Sequence, residues 1–212
     1  MTDANSDKKQ LILDTAEALF AQFGFDSTST RDIADKAGVN VAMISYYFGS
    51  KQNLMQAIIE RHGENIYATL QNAYDTQLAP EPRMRSLIRA YIQYCLKHPD
   101  PIVIAHREMG VNLRPLLHDQ ITCVFKQVKD IIESIIIEGQ QTGIFRQLDL
   151  PFFLFMMGNM VDGMIHELNA MRYVNLDWET LGVPSMSDPN FPDKFHGFFE
   201  DVVMTYLLTR PE

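Results

Sequence analysis

Between Thr28 and Lys51 the chain gathers hydroxyls, phenols, one amide and one cation at helix-scale spacing: Thr28 and Ser29, Asn40, Ser45, Tyr46 and Tyr47, then Lys51. Hydroxyls and phenols can donate to phosphate oxygens, a lysine adds one charge, and the backbone N–H groups that open a helix can hold an anion between them. The chemistry open to this stretch is a non-covalent grip on a phosphate backbone, placed where helices begin. Tyr46 and Tyr47 would use their hydroxyls. Lys51 would pair its charge with the N–H groups of its own turn, and Thr28 and Ser29 would offer the same kind of anion site one helix earlier.

The elements that must position these groups are legible from apolar spacing. Ile12, Ala16, Leu19, Phe20 and Phe23 form one stripe of a helix over Asp7 to Phe23, with Ser6 as N-cap and Gly24 as its end. Ser29 followed three residues later by Asp32 predicts a capped short helix through Ile33, Ala34 and Ala37, stopped by Gly38. Asn40 can cap a second short helix, Val41 to Phe48. Ser50 can cap a third, beginning at Lys51 and turning Leu54, Ile58 and Ile59 inward. Two short helices across a glycine turn make the helix-turn-helix pattern, whose second helix enters the DNA major groove. On that helix Ile44, Phe48 and Val41 share the side that packs on Ile33 and Phe20, while Ala42, Ser45 and Tyr46 lie opposite. A small exposed Ala42 lets the backbone approach base edges, and Ser45 can bond a base or a phosphate. The competing reading is three packed helices with surface tyrosines, a helical protein-interaction module that does not bind DNA.

Composition narrows the classes. The 212 residues are 46% hydrophobic and 21% charged, with a formal net charge of -9, which describes a globular protein and not a broad polycation for nucleic acid. Cys95 and Cys123, far apart, give neither a disulfide framework nor zinc-site spacing and read as buried free thiols. The N-terminus lacks an apolar leader and the most apolar run, Leu150 to Val161, is short for a span, so a cytoplasmic protein without membrane contact is expected. The histidines show no metalloprotease pairing, and no phosphate-binding glycine loop or serine elbow occurs. No enzyme activity, cofactor or metal is expected.

Phe23-Gly24-Phe25, Thr28-Ser29, Asp32-Ile33-Ala34, Ala37-Gly38-Val39-Asn40, Tyr46-Tyr47-Phe48 and Ser50-Lys51 through Leu54 resemble, in order and spacing, the signature of TetR-type transcriptional regulators. The resemblance covers about a quarter of the chain. It implies an all-α fold with an N-terminal three-helix DNA-binding domain, placed at residues 1–55, and a larger helical effector-binding and dimerisation domain at 56–212. It further implies a homodimer on a palindromic operator in double-stranded DNA and, most simply, a repressor. A small effector would shift the population toward a spacing of recognition helices that no longer fits successive major grooves. Carried over residue by residue, backbone contacts fall on Thr28, Ser29, Asn40, Tyr46, Tyr47 and Lys51, and base contacts on Val41 and Ala42. Two positions depart from the family, which usually has glycine at Ala42 and tyrosine at Ser45. Val41 offers only an apolar contact, such as one to a thymine methyl.

Downstream, apolar stripes predict helices over residues 84–97, 102–111, 116–141, 151–172 and 192–208, with an irregular insertion over 175–190. The last two helices are the family's usual dimer bundle, and Gly158, Asp162 and His166 form a seam of small and polar residues there, or else a solvated polar face. The methionines and phenylalanines, Met109, Met156, Met157, Met160, Met164, Met171, Phe125, Phe152, Phe153 and Phe155, suit either an adaptable cavity for a partly apolar effector or plain core. A pocket, if present, is expected among Tyr91, Tyr94, His106, Phe125 and Met160, with His106, Arg107 and Glu108 as polar lining or as a structural ion pair.

Overall fold

The computed structural model of the protein describes residues 3–111, 115–171, 182 and 188–208. Among these the chain forms nine helices: α1 (Asp3–Phe23), α2 (Thr30–Ala37), α3 (Ala42–Phe48), α4 (Lys51–Ala73), α5 (Pro80–Lys97), α6 (Pro99–Val111), α7 (Pro115–Gln141), α8 (Leu150–Met171) and α9 (Phe191–Leu207). The only extended pairing among the described residues is an isolated antiparallel bridge between Phe145 and Leu208, so the all-α expectation is met. Prolines open α5, α6 and α7, where a missing N–H costs nothing and a fixed φ is already helical. Most of the expected insertion over 175–190, and the side chain of Met171, lie outside the described residues. No helix among the described residues is long and apolar enough to cross a membrane.

Several boundaries differ from expectation: α5 begins at Pro80 and α6 at Pro99, ahead of the expected 84 and 102. α1 begins at Asp3, ahead of Ser6, and α4 is no short helix but runs for 23 residues. Its continuation is written in the sequence, since Ile59, Ile66 and Leu70 extend the buried stripe of Leu54, Met55 and Ile58 past Gly63.

The contacts group the chain into two compact units, one formed by residues 1–64 with 100–123, the other by 65–99 with 124–212. The first unit is not collinear with the chain. Its core unites Ile12, Ala16 and Phe20 of α1, Ile33 of α2, Ile44 and Phe48 of α3 and Leu54 and Ile58 of α4 with Ile104, Leu117 and Ile121. The second unit packs α5, α8 and α9 around Met84, Leu87, Ile92, Val161, Ile165, Phe195, Phe199 and Val203, all buried. At its start Arg83, only 3% exposed, donates to the carbonyls of Asp75, Thr76 and Leu78 and to the Glu138 carboxylate. One guanidinium thus satisfies a turn whose carbonyls would otherwise be orphaned. Near the end of α7, Gly139 leaves room for the buried ring of Phe145: a Cβ there would lie 2.1 Å from Phe145 Cδ2. Cys95 is buried as expected. Cys123 is exposed, a correction to the sequence reading.

Candidate nucleic-acid interface

The recognition face is assembled by three local devices. Ser29 caps α2: its Oγ accepts from Asp32 N at 3.1 Å, and the Asp32 carboxylate accepts from Ser29 N at 2.7 Å and Ser29 Oγ at 2.6 Å. Those hydrogen bonds from Ser29 hold the Asp32 carboxyl below its ordinary pKa. Gly38, at φ 65°, ends α2 in the left-handed region and returns its N–H to Ala34 and Asp35, a stop that suits glycine. Asn40 Oδ1 then accepts from Ala42 N at 2.8 Å and starts α3.

α3 is divided as its sequence requires. Ile44 and Phe48 are buried at 1% and 8% exposure. Ala42 and Ser45 are exposed, and Tyr46 is 76% exposed, with its ring edge-on to Tyr47 at 5.0 Å. Val41 departs from its expected packing with Ile44: it is 41% exposed and precedes the first full turn of α3. Tyr47 is half-buried and packs against the core.

Two expected phosphate ligands are used otherwise. Thr28 is 1% exposed and its Oγ1 donates to Gly24 O at 2.9 Å, so its hydroxyl closes the turn after α1 and does not face solvent. Lys51 is half-buried; its Nζ donates to Phe25 O and Thr28 O, each at 2.8 Å, and stands 4.1 Å from the Phe25 ring centroid. This ammonium fastens the α1–α2 turn to the start of α4. Its acceptors lie 26 and 23 residues away in the chain, beyond anything helical spacing can show. Ser29, Asn40 and Tyr46 remain exposed along the same edge, although the Ser29 and Asn40 side chains already act as caps.

A polar network that the sequence did not announce supports the unit. Glu17 on α1 accepts from Arg61 and, at 2.7 Å, from His62 on α4, while Arg61 also reaches Asp14. Burial pushes the Glu17 carboxyl up, but the hydrogen bonds and charges of His62 and Arg61 outweigh it, and the net shift is downward. Arg107 on α6 donates to Ala21 O at 2.7 Å, at the carboxyl end of α1 where unpaired carbonyls carry the negative pole of the helix. Gln120 on α7 donates to Glu60 at 2.7 Å.

The residues expected to line an effector pocket divide between the two units. His106, which is exposed, and Arg107 belong to the first; Tyr91, Tyr94, Phe125 and Met160 belong to the second. Arg107 lies against the end of α1, where it donates to Ala21 O. In the second unit Tyr91 donates to Asp162 Oδ1 at 2.9 Å, and burial, then the Asp162 charge, raises its hydroxyl pKa well above the ordinary value. Burial likewise raises the thiol of Cys95, one turn along α5. Tyr94 is buried with its ring centroid 4.8 Å from that of His98. Met160 is half-buried and Phe125 is 42% exposed.

Gly158, Asp162 and His166, expected at a dimer seam, stand four residues apart along α8. Asp162 is 8% exposed and faces Tyr91 within its own chain, while Gly158 and His166 are half-buried. The large exposed apolar side chains of α8 and α9 are Phe152, Phe155, Met156, Phe198 and Tyr206. Phe153 stacks on Tyr206 at 5.6 Å, which brings the start of α8 beside the end of α9.

Comparison with known proteins agrees with this geometry. The model of "Bacterial regulatory proteins, tetR family" matches residues 12–58, and that of the "Tetracyclin repressor-like, C-terminal domain" matches 77–166. The chain is 31% identical over 156 residues to the "Probable HTH-type transcriptional regulator YttP" of Bacillus subtilis, covering 72% of this chain and 74% of that one. It is 30% identical over 154 residues to the HTH-type transcriptional regulator RutR of Escherichia coli, covering 73% and 72%. Its fold is similar to that of the ketosteroid transcriptional regulator KstR2 of Mycobacterium tuberculosis, with a TM-score of 0.74, 20% identity and 95% of each chain covered.

Proposed function

This chain belongs to the TetR family of bacterial regulatory proteins, and from that membership we propose that it is a ligand-responsive repressor binding a palindromic operator as a homodimer. Transcriptional regulation through DNA is the property of the family. The homodimer, the symmetric operator and the effector are this reading's additions. The observation that carries it is the split of α3 into a buried side, Ile44 and Phe48, and an exposed side of Ala42, Ser45 and Tyr46. A charged residue at exposed position 42 would serve solubility better. A small residue there suits close approach to base edges, with Val41 available to a thymine methyl.

The large exposed apolar side chains of α8 and α9 support dimerisation, because exposed aromatic surface marks contact sites in many proteins. Gly158 and His166, half-buried, lie on α8 as well. The effector is proposed to be small and partly apolar, taken up in the second unit near Tyr91, Tyr94 and Met160, where a hydroxyl and a carboxylate lie within apolar packing. Uptake would favour a separation of the two recognition helices that no longer matches major grooves about 34 Å apart.

Capture of fragments from the organism's own DNA, followed by gel shift of the enriched sequence, tests the reading. The expected result is a two-fold symmetric site bound by two chains, with affinity falling steeply in salt. Recovery of no preferred sequence would favour the helical interaction module instead.

A further inference from the structure

A duplex is held chiefly through its phosphates, so the recognition face needs free cations beside it. The first unit has already committed three. Lys51 is bound to the carbonyls of Phe25 and Thr28, Arg61 to Asp14 and Glu17, and Arg107 to the carbonyl of Ala21. Four exposed basic residues remain in the three-helix region: Lys8, Lys9 and, on α2, Arg31 and Lys36. Each of the α2 pair has a carboxylate one turn away on its own helix, Asp35 for Arg31 and Asp32 for Lys36, which offsets its charge at neighbour distance. Lys8 and Lys9 have no such partner. The positions three and four residues from either one are Ala4, Asn5, Ser6, Leu11, Ile12 and Leu13. Asp7, next in the chain, projects about 100° around α1 from Lys8 and about 200° from Lys9.

The location of Lys9 is fixed by a contact. Lys9 Nζ lies 5.8 Å from the ring centroid of Phe48, the last residue of α3. The opening turns of α1 therefore stand beside the carboxyl end of the recognition helix, where Tyr46 is also exposed.

We propose that Lys8 and Lys9 form a second grip on DNA, binding backbone phosphates that flank the bases read by α3. The proposal rests on the reading of the chain as a DNA-binding regulator. The tie of Lys9 to the Phe48 ring, at 5.8 Å from its centroid, is weak and readily gives way to a phosphate oxygen. The grip reads no base: it sets the strength and salt dependence of binding and leaves sequence preference to Val41, Ala42 and Ser45.

Because the phosphate contribution is independent of sequence, a labelled mixed-sequence duplex of about 30 base pairs serves as probe, with fluorescence anisotropy over a sodium chloride series. Each phosphate engaged contributes ~0.9 to the slope of log affinity against log salt. The double variant Lys8→Gln, Lys9→Gln is expected to lower that slope by about two per bound chain, with an unchanged thermal midpoint. Lys8→Arg with Lys9→Arg should retain the slope. If wild type binds with a steep slope and the glutamine variant shows the same slope, the grip is refuted while the regulator reading stands. If wild type itself shows no salt-dependent binding, the regulator reading falls and takes the grip with it.

Discussion

Lys51 carries a charge whose role cannot be inferred from its neighbours in the chain. An ammonium with two carbonyl acceptors at 2.8 Å and an aromatic ring beneath it holds backbone in place, so its effect on DNA passes through the position of the helices it ties. Lys51→Met keeps the aliphatic stem and removes both bonds. We expect a loss of about 1–2 kcal/mol, since the site is partly solvated, a weaker complex with DNA, and a salt slope equal to that of wild type. A fall in slope by about one per chain would restore the phosphate contact expected from the sequence. Glu17 makes a prediction with a defined sign. Its folded-state pKa lies below the ordinary glutamate value of 4.5, so it binds protons less readily in the native state than in the unfolded one. Its contribution to stability is complete above that ordinary value and is lost as pH falls through the lower native one. Denaturant unfolding of wild type and Glu17→Gln at a series of pH values should show a difference that is constant near neutrality and vanishes in acid. Tyr46 and Ala42 were legible from the sequence because helical spacing alone decides which side of α3 they occupy. Lys51 and Arg107 were not, because their acceptors lie 23 to 86 residues away; the Thr28 hydroxyl, bonded four residues back to Gly24 O, was missed because its burial comes from packing.

Helix ends were the most readable elements, for a local reason. Ser29 with Asp32 and Gly38 each satisfy or stop a backbone within a few residues, so their signals survive without knowledge of the fold, whereas the prolines that open α5, α6 and α7 lie ahead of the expected starts at 84, 102 and 116. The start of α1 was less readable because Ser6 is a good cap yet is tolerated one turn inside a helix, where the preceding residues continue the spiral. The length of α4 was underestimated because Gly63 interrupts its apolar stripe without breaking it. The close contact of Gly139 with Phe145 could not be foreseen, since glycine inside α7 only lowers helix propensity until the ring is in view. Gly139→Ala should therefore act against propensity: the gained methyl meets the Phe145 ring, and we expect destabilisation of about 1–3 kcal/mol, read as a lower denaturant midpoint. A rise in stability would mean that Phe145 moves aside freely.

At the scale of the whole molecule, two features bear on assembly. The exposed Phe152, Phe155 and Met156 of α8 were read in the sequence as cavity or core, because hydrophobic spacing tells which residues share a face and not whether a second chain covers it. Phe155→Glu places a charge in the middle of that face. Sedimentation should show a monomer, and operator affinity should fall by far more than non-specific affinity, because two half-sites can no longer be held together. A dimer that persists would move the interface elsewhere. The other feature is the formal charge of -9, carried by a chain that turns Lys51, Arg61 and Arg107 toward its own backbone and carboxylates. Random chromosomal sequence, present in vast excess, competes for a regulator in proportion to its non-specific affinity. For the proposed repressor, each cation spent on its own fold is one fewer for random sequence to engage, so less of the protein is held on the bulk of the genome.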